Sequence, residues 1–328
     1  MDLTRFRLPG ETGAMVMATG IVAYGCRLLR VGVVADLLLG VAALAWAGLA
    51  LSVTLGLAQA RPGLRAQRRR PAILSWVAAT GVLAANLLAL GWRWPAAALT
   101  ALAAALLLWL LPSVWRNWPR PTRGTSFLLT VALESVAGML GLSGATFGAL
   151  WLLALGGALW LLGLLAYLYV LREFDWTELG SGRGDHWVAG GALAIAALTA
   201  GELYVSLGST TLPIRPGGPL PLAVLVPWCL ASAFIGLLLI SEVVRPRWRF
   251  HGLRWATVFP VGMYGVASLG LQGAVAWAPL ETVGRVWVWL GLGCWLVVGA
   301  GTLLVGLGRL PAWAASELEE GGPGSGPS

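Results

Sequence analysis

Apolar residues in this chain form long, continuous runs of about twenty, interrupted by short clusters of Arg, Pro and Gly. A run of that length is what the roughly 30 Å hydrocarbon core of a bilayer requires of a helix. Breaking the sequence at those clusters predicts ten spans, near 12–29, 33–59, 72–91, 94–112, 125–143, 146–171, 186–208, 219–243, 253–276 and 284–307. A membrane β-barrel would need short alternating segments, so the pattern predicts an all-α polytopic membrane protein with one domain over residues 1–311. The stretch 312–328, acidic and then rich in Gly, Pro and Ser, reads as a disordered tail or a remnant of cloning.

Composition agrees: 58% of the 328 residues are hydrophobic and 11% are charged. The net charge of +8 comes from 22 arginines, with no lysine, and their placement tests the division into spans. Seventeen fall at the termini and in the even-to-odd loops, and five on the opposite side. That asymmetry predicts cytoplasmic N- and C-termini and a multi-pass protein of the cell inner (plasma) membrane. The basic run 61–71, RPGLRAQRRRP, then faces anionic headgroups, and no nucleic-acid partner is expected. Tryptophans near span ends, such as Trp92, Trp94, Trp115 and Trp277, fit interfacial belts.

Loops on the arginine-poor side are mostly brief, for example GWRW at 91–94 and SGAT at 143–146, which predicts five antiparallel hairpins. Glycines recur on the odd-numbered helices, among them Gly20, Gly81, Gly138, Gly201, Gly262 and Gly265. They either let helices approach closely or leave room for a path between the helices.

Three stretches resemble the tellurite-resistance/dicarboxylate transporter family, which includes plant slow-type anion channels and yeast malate and sulfite carriers. They are AMVMATGIVA (14–23), DHWVAGGALAIAAL (185–198) and RWATVFPVGMYGVAS (254–268). The resemblance implies five hairpins around a pseudo-five-fold central pore, odd helices inside and even helices outside, in a homotrimer with one pore per subunit. It also implies that a phenylalanine on the ninth helix blocks the pore, and Phe259 is the matching residue. Pro260 follows it, lacks an N–H, and is expected to kink the helix by freeing the Ala256 carbonyl. Gly262 and Gly265 are expected to leave space beside the ring.

Ionisable groups inside a span are costly and ask for a reason. Glu134 falls at mid-depth of the fifth span and Glu202 deep in the seventh. An ionised carboxylate would repel an anion in a narrow path by several kcal/mol. These two residues are therefore read either as proton-exchanging groups or as acids that tie helices together. Thr19 and Asn86 are further polar candidates, for the path or for interhelical hydrogen bonds. Two histidines, three scattered cysteines and no metal-binding spacing or nucleophile motif predict no cofactor, no metal and no enzyme. The expected function is transport of small anions, a C4-dicarboxylate such as malate or an inorganic anion, through a gated and proton-linked pore. The alternatives are an anion channel without a proton step, a sulfite or tellurite efflux protein and, further off, a membrane-embedded enzyme or scaffold. The expected partners are small anions, membrane lipid and two further copies of the chain.

Overall fold

The computed structural model describes residues 9–58, 66–181, 184–210, 219–244 and 254–307. The tail at 312–328 and the arginines at 5, 7, 61, 65, 183, 215, 245, 247, 249 and 309 lie outside those residues.

Ten long helices make up most of the described chain. They are α1 (Pro9–Leu28), α2 (Gly32–Ala58), α3 (Ser75–Ala89), α4 (Arg93–Arg116), α5 (Leu128–Phe147), α6 (Leu150–Arg172), α7 (Trp187–Thr210), α8 (Pro219–Val244), α9 (Trp255–Val275) and α10 (Pro279–Gly306). Short 3-10 turns, Pro71–Leu74 and Gly124–Phe127, lead into α3 and α5. No β-strand is present among the described residues, only an isolated bridge between Thr122 and Phe174. The chain is thus the all-helical polytopic protein that its apolar runs predict.

Among the described residues nine helices, α2 to α10, are long and apolar enough to cross a membrane. The tenth, α1, has Arg27 in its last turn, and it is shielded by its neighbours because it packs against α2, α3 and α9.

Four hairpin turns each pivot on one residue in the left-handed conformation: Arg30, Gly91, Gly148 and Ala276. The third differs from expectation. Helix α5 continues through Ser143–Thr146 and ends only at Gly148, with φ +67°, where the chain can reverse without a Cβ clash. The SGAT segment is small and polar, but nothing in it stops a helix, whereas the next glycine does.

The packing order fixes the architecture. Helix α1 packs on α3, α3 on α5, α5 on α7, α7 on α9, and α9 back on α1, so the odd helices close a ring. Each even helix packs against its hairpin partner and the next odd helix, α2 between α1 and α3 and so on to α10 between α9 and α1. Burial follows: 94% of the α5 span is buried against 22% for α6. The outer helices expose Leu44, Leu108, Leu165, Ile240, Val297 and similar side chains, a surface suited to hydrocarbon rather than water.

Mid-helix tryptophans fasten the two layers. Trp46 of α2 donates to Thr80 of α3 at 3.0 Å, and Trp160 of α6 to the Ala196 carbonyl of α7 at 3.0 Å. Trp228 of α8 donates to Ser268 of α9, and Trp295 of α10 to Thr19 of α1, both at 2.9 Å. Four of the five junctions between one hairpin and the next carry this bond. Each satisfies an indole N–H that lipid could not.

Candidate functional site

A cavity of about 40 Å³ is bordered by all five ring helices, which places it on the axis of the ring. Ile21 and Tyr24 come from α1, Gly81 from α3, and Met263 from α9. Glu134, Ser135 and Gly138 come from α5, and Thr199 and Glu202 from α7. These residues fall roughly midway along their helices, and none of those lining the cavity is basic.

The two acidic residues that border the cavity each rest on a glycine of a neighbouring helix. Glu134 is fully buried, and neither of its oxygens has a hydrogen-bond partner among the described residues. Its carboxylate rests on Gly163 of α6, where a Cβ would stand 2.8 Å from the carboxyl carbon. The Thr199 hydroxyl donates instead to the Glu134 backbone carbonyl at 3.1 Å. Glu202 rests on Gly138, where a Cβ would stand 2.6 Å from Oε2. Gly138 is one turn beyond Glu134, so Glu202 meets α5 about a helical turn from the Glu134 backbone.

Phe259 is fully buried. It precedes Met263 by four residues, so it shares the cavity-facing side of α9, about 6 Å nearer the start of the helix. Its ring edge lies against Gly191 of α7, where a Cβ would approach Cε1 to 3.1 Å. The same glycine receives Pro260, with that Cβ 2.9 Å from Cγ. Pro260 lies inside α9, which runs continuously from Trp255 to Val275. One missing N–H in the second turn costs a single bond, and Gly191 accommodates the ring that would otherwise push the helices apart.

Other sequence candidates are placed differently. Gly81 and Gly138 line the cavity, but Gly20 faces Val82 of α3 and Gly201 faces Leu271 of α9. Gly262 meets Ile21 and Val22 of α1, and Gly265 meets the Val288 backbone of α10, so neither opens space beside the Phe259 ring. Their Cα atoms point to neighbouring helices, which is the close-packing use of membrane glycine. Thr19 accepts the Trp295 bond, and Asn86 donates to the carbonyls of Gly20 at 3.0 Å and Val82 at 2.9 Å. Both tie helices together and stand away from the cavity lining. Tyr24, Ser135, Thr199 and Gly163 were not among the sequence candidates, whereas Gly191 belongs to the glycines that recur on the odd helices. Only Thr199, three residues before Glu202 and thus on the same helical face, carried a usable signal.

A family model described as voltage-dependent anion channel matches residues 9–303. Uncharacterised membrane proteins from two Mycobacterium tuberculosis strains, CDC 1551 / Oshkosh and H37Rv, are each 32% identical to this chain over 135 residues, 40% of its length. The matched stretch covers 65% of each of those relatives.

Proposed function

This chain belongs to the voltage-dependent anion channel family, a membrane-protein family of anion transport, and on that premise we propose that small anions cross along the ring axis, with Phe259 as the plug. One observation carries the reading: the cavity touches all five inner helices, and Phe259, buried but outside the lining, lies one turn of α9 before Met263, which borders it. A flat, apolar ring closes a narrow path by excluding hydrated ions and yields through rotation about its side-chain torsions.

Glu134 and Glu202 exchange protons during transport. An ionised carboxylate without a hydrogen bond is expensive to keep from water, and neither oxygen of Glu134 makes one among the described residues. The protein lies in the inner membrane with cytoplasmic termini, surrounds its outer helices with lipid, and assembles as a homotrimer with one pore per subunit.

Anion efflux from proteoliposomes tests the reading. Phe259→Ala is expected to raise flux at least tenfold with the fold retained, and equal flux removes the plug. Glu134→Gln is expected to abolish the link to lumenal pH, and an unchanged link removes the proton step.

A further inference from the structure

The reading above leaves open which anions suit this cavity, and its lining is unusual for any of them. An anion arriving there meets Glu134 and Glu202 and no cationic side chain. The groups facing Glu134 from the packed helices are few. Helix α6 presents Gly163, α7 presents Thr199, and Glu202 of α7 and Tyr24 of α1 also border the cavity. From α3 and α9 come only Gly81, Val82, Ala85 and Met263.

We propose that the cavity takes its permeant as the conjugate acid of a small oxyanion, a one-carboxyl acid or one of similar size, and discriminates against halide. The reading rests on the axial path proposed above. Glu134 is fully buried, borders the cavity and has both oxygens unpartnered, so it can give a proton to an arriving oxyanion and take one back. The transfer balances: RCOO⁻ plus the carboxylic acid form of Glu134 gives RCOOH plus the carboxylate. The neutral acid then moves past two carboxylates that would repel its anion. Its O–H donates to Glu202, and its carbonyl oxygen accepts from Tyr24. On the far side the acid returns its proton to water and Glu134 regains one from the side of entry, so one proton crosses with each anion and no net charge moves. Chloride can do none of this, because it neither binds a proton at these pH values nor donates a hydrogen bond. Size points the same way: about 40 Å³ holds a few water molecules, or roughly two to four heavy atoms.

The test uses the whole chain in vesicles with a lumenal pH dye, comparing formate with chloride and subtracting protein-free vesicles. Wild type is expected to carry formate at least tenfold faster than chloride, with lumen acidification matching formate entry one to one. Gln at both positions, Glu134→Gln with Glu202→Gln, is expected to raise chloride flux about tenfold and to uncouple the dye signal. A gain in chloride flux with formate flux and dye retention unchanged cannot come from leak through misfolded protein. A wild-type ratio near one, or a ratio unchanged in the double variant, overturns the proposal. Phe259→Ala separates the two readings. If it raises formate and chloride in equal proportion the plug stands, whatever the ratio. If it raises neither the plug falls, while the wild-type ratio still decides the permeant. Absence of formate flux above background in both proteins overturns both.

Discussion

The carboxylate of Glu134 occupies the space that Gly163 leaves on the facing helix, and a Cβ at Gly163 would stand 2.8 Å from its carboxyl carbon. The contact crosses from the inner ring to the outer layer, so α6 helps position a group on the axial cavity. Gly163→Ala should therefore act on both stability and transport. Overpacking costs about 1–3 kcal/mol, and the displaced acid should lose its proton coupling. Gly157, on the same helix, has open space where its Cβ would be. Gly157→Ala should be neutral or stabilising by up to about 1 kcal/mol. Thermal unfolding in detergent, together with the lumenal pH signal, separates the two.

The Trp295–Thr19 bond closes the ring between the last helix and the first. A double-mutant cycle with Trp295→Phe and Thr19→Val should give a coupling of about 0.6–1.7 kcal/mol, the range measured for interhelical hydrogen bonds in membranes. Unfolding free energies that simply add would remove the bond from the account.

Asn86 separates structure from permeation. Its amide holds the Gly20 and Val82 carbonyls, so Asn86→Leu should cost about 1–3 kcal/mol through the Gly20 carbonyl left without its bond. Anion selectivity of the folded fraction should be unchanged, since Asn86 does not border the cavity. A changed anion preference would return this residue to the path.

Proton-linked entry also fixes the sign of a pH effect. With protons as a co-substrate, uptake should rise as external pH falls, by up to about tenfold per unit while one proton limits the rate. Glu134→Gln should flatten that dependence. Initial rates of formate uptake at fixed lumenal pH provide the measurement.

The helices were legible because a bilayer demands continuous apolar runs, and the arginine asymmetry constrained how those runs divide. The layers were only partly legible. Every outer span has a higher mean hydropathy than every inner one, a signal present in the sequence but hidden by the uniform apolarity of both. Trp46, Trp160, Trp228 and Trp295 look like any lipid-facing tryptophan until the ring brings an acceptor to each. The glycines misled for a related reason. Their number on odd helices suggested a path, but the direction of each missing Cβ decides between path and packing, and direction depends on the neighbouring helix. Thus Gly138 borders the cavity while Gly262 seats α9 on α1. Glu134 stood out on cost alone, but its resting place on Gly163 required the fold.

Phe259 as a plug on the ring axis is the central claim, and formate flux into proteoliposomes holding the purified protein tests it most directly. Wild type and Phe259→Ala are compared at equal protein content and equal imposed gradient, with protein-free vesicles subtracted. Phe259→Ala is expected to carry formate at least tenfold faster than wild type. Equal flux in the two proteins would contradict it.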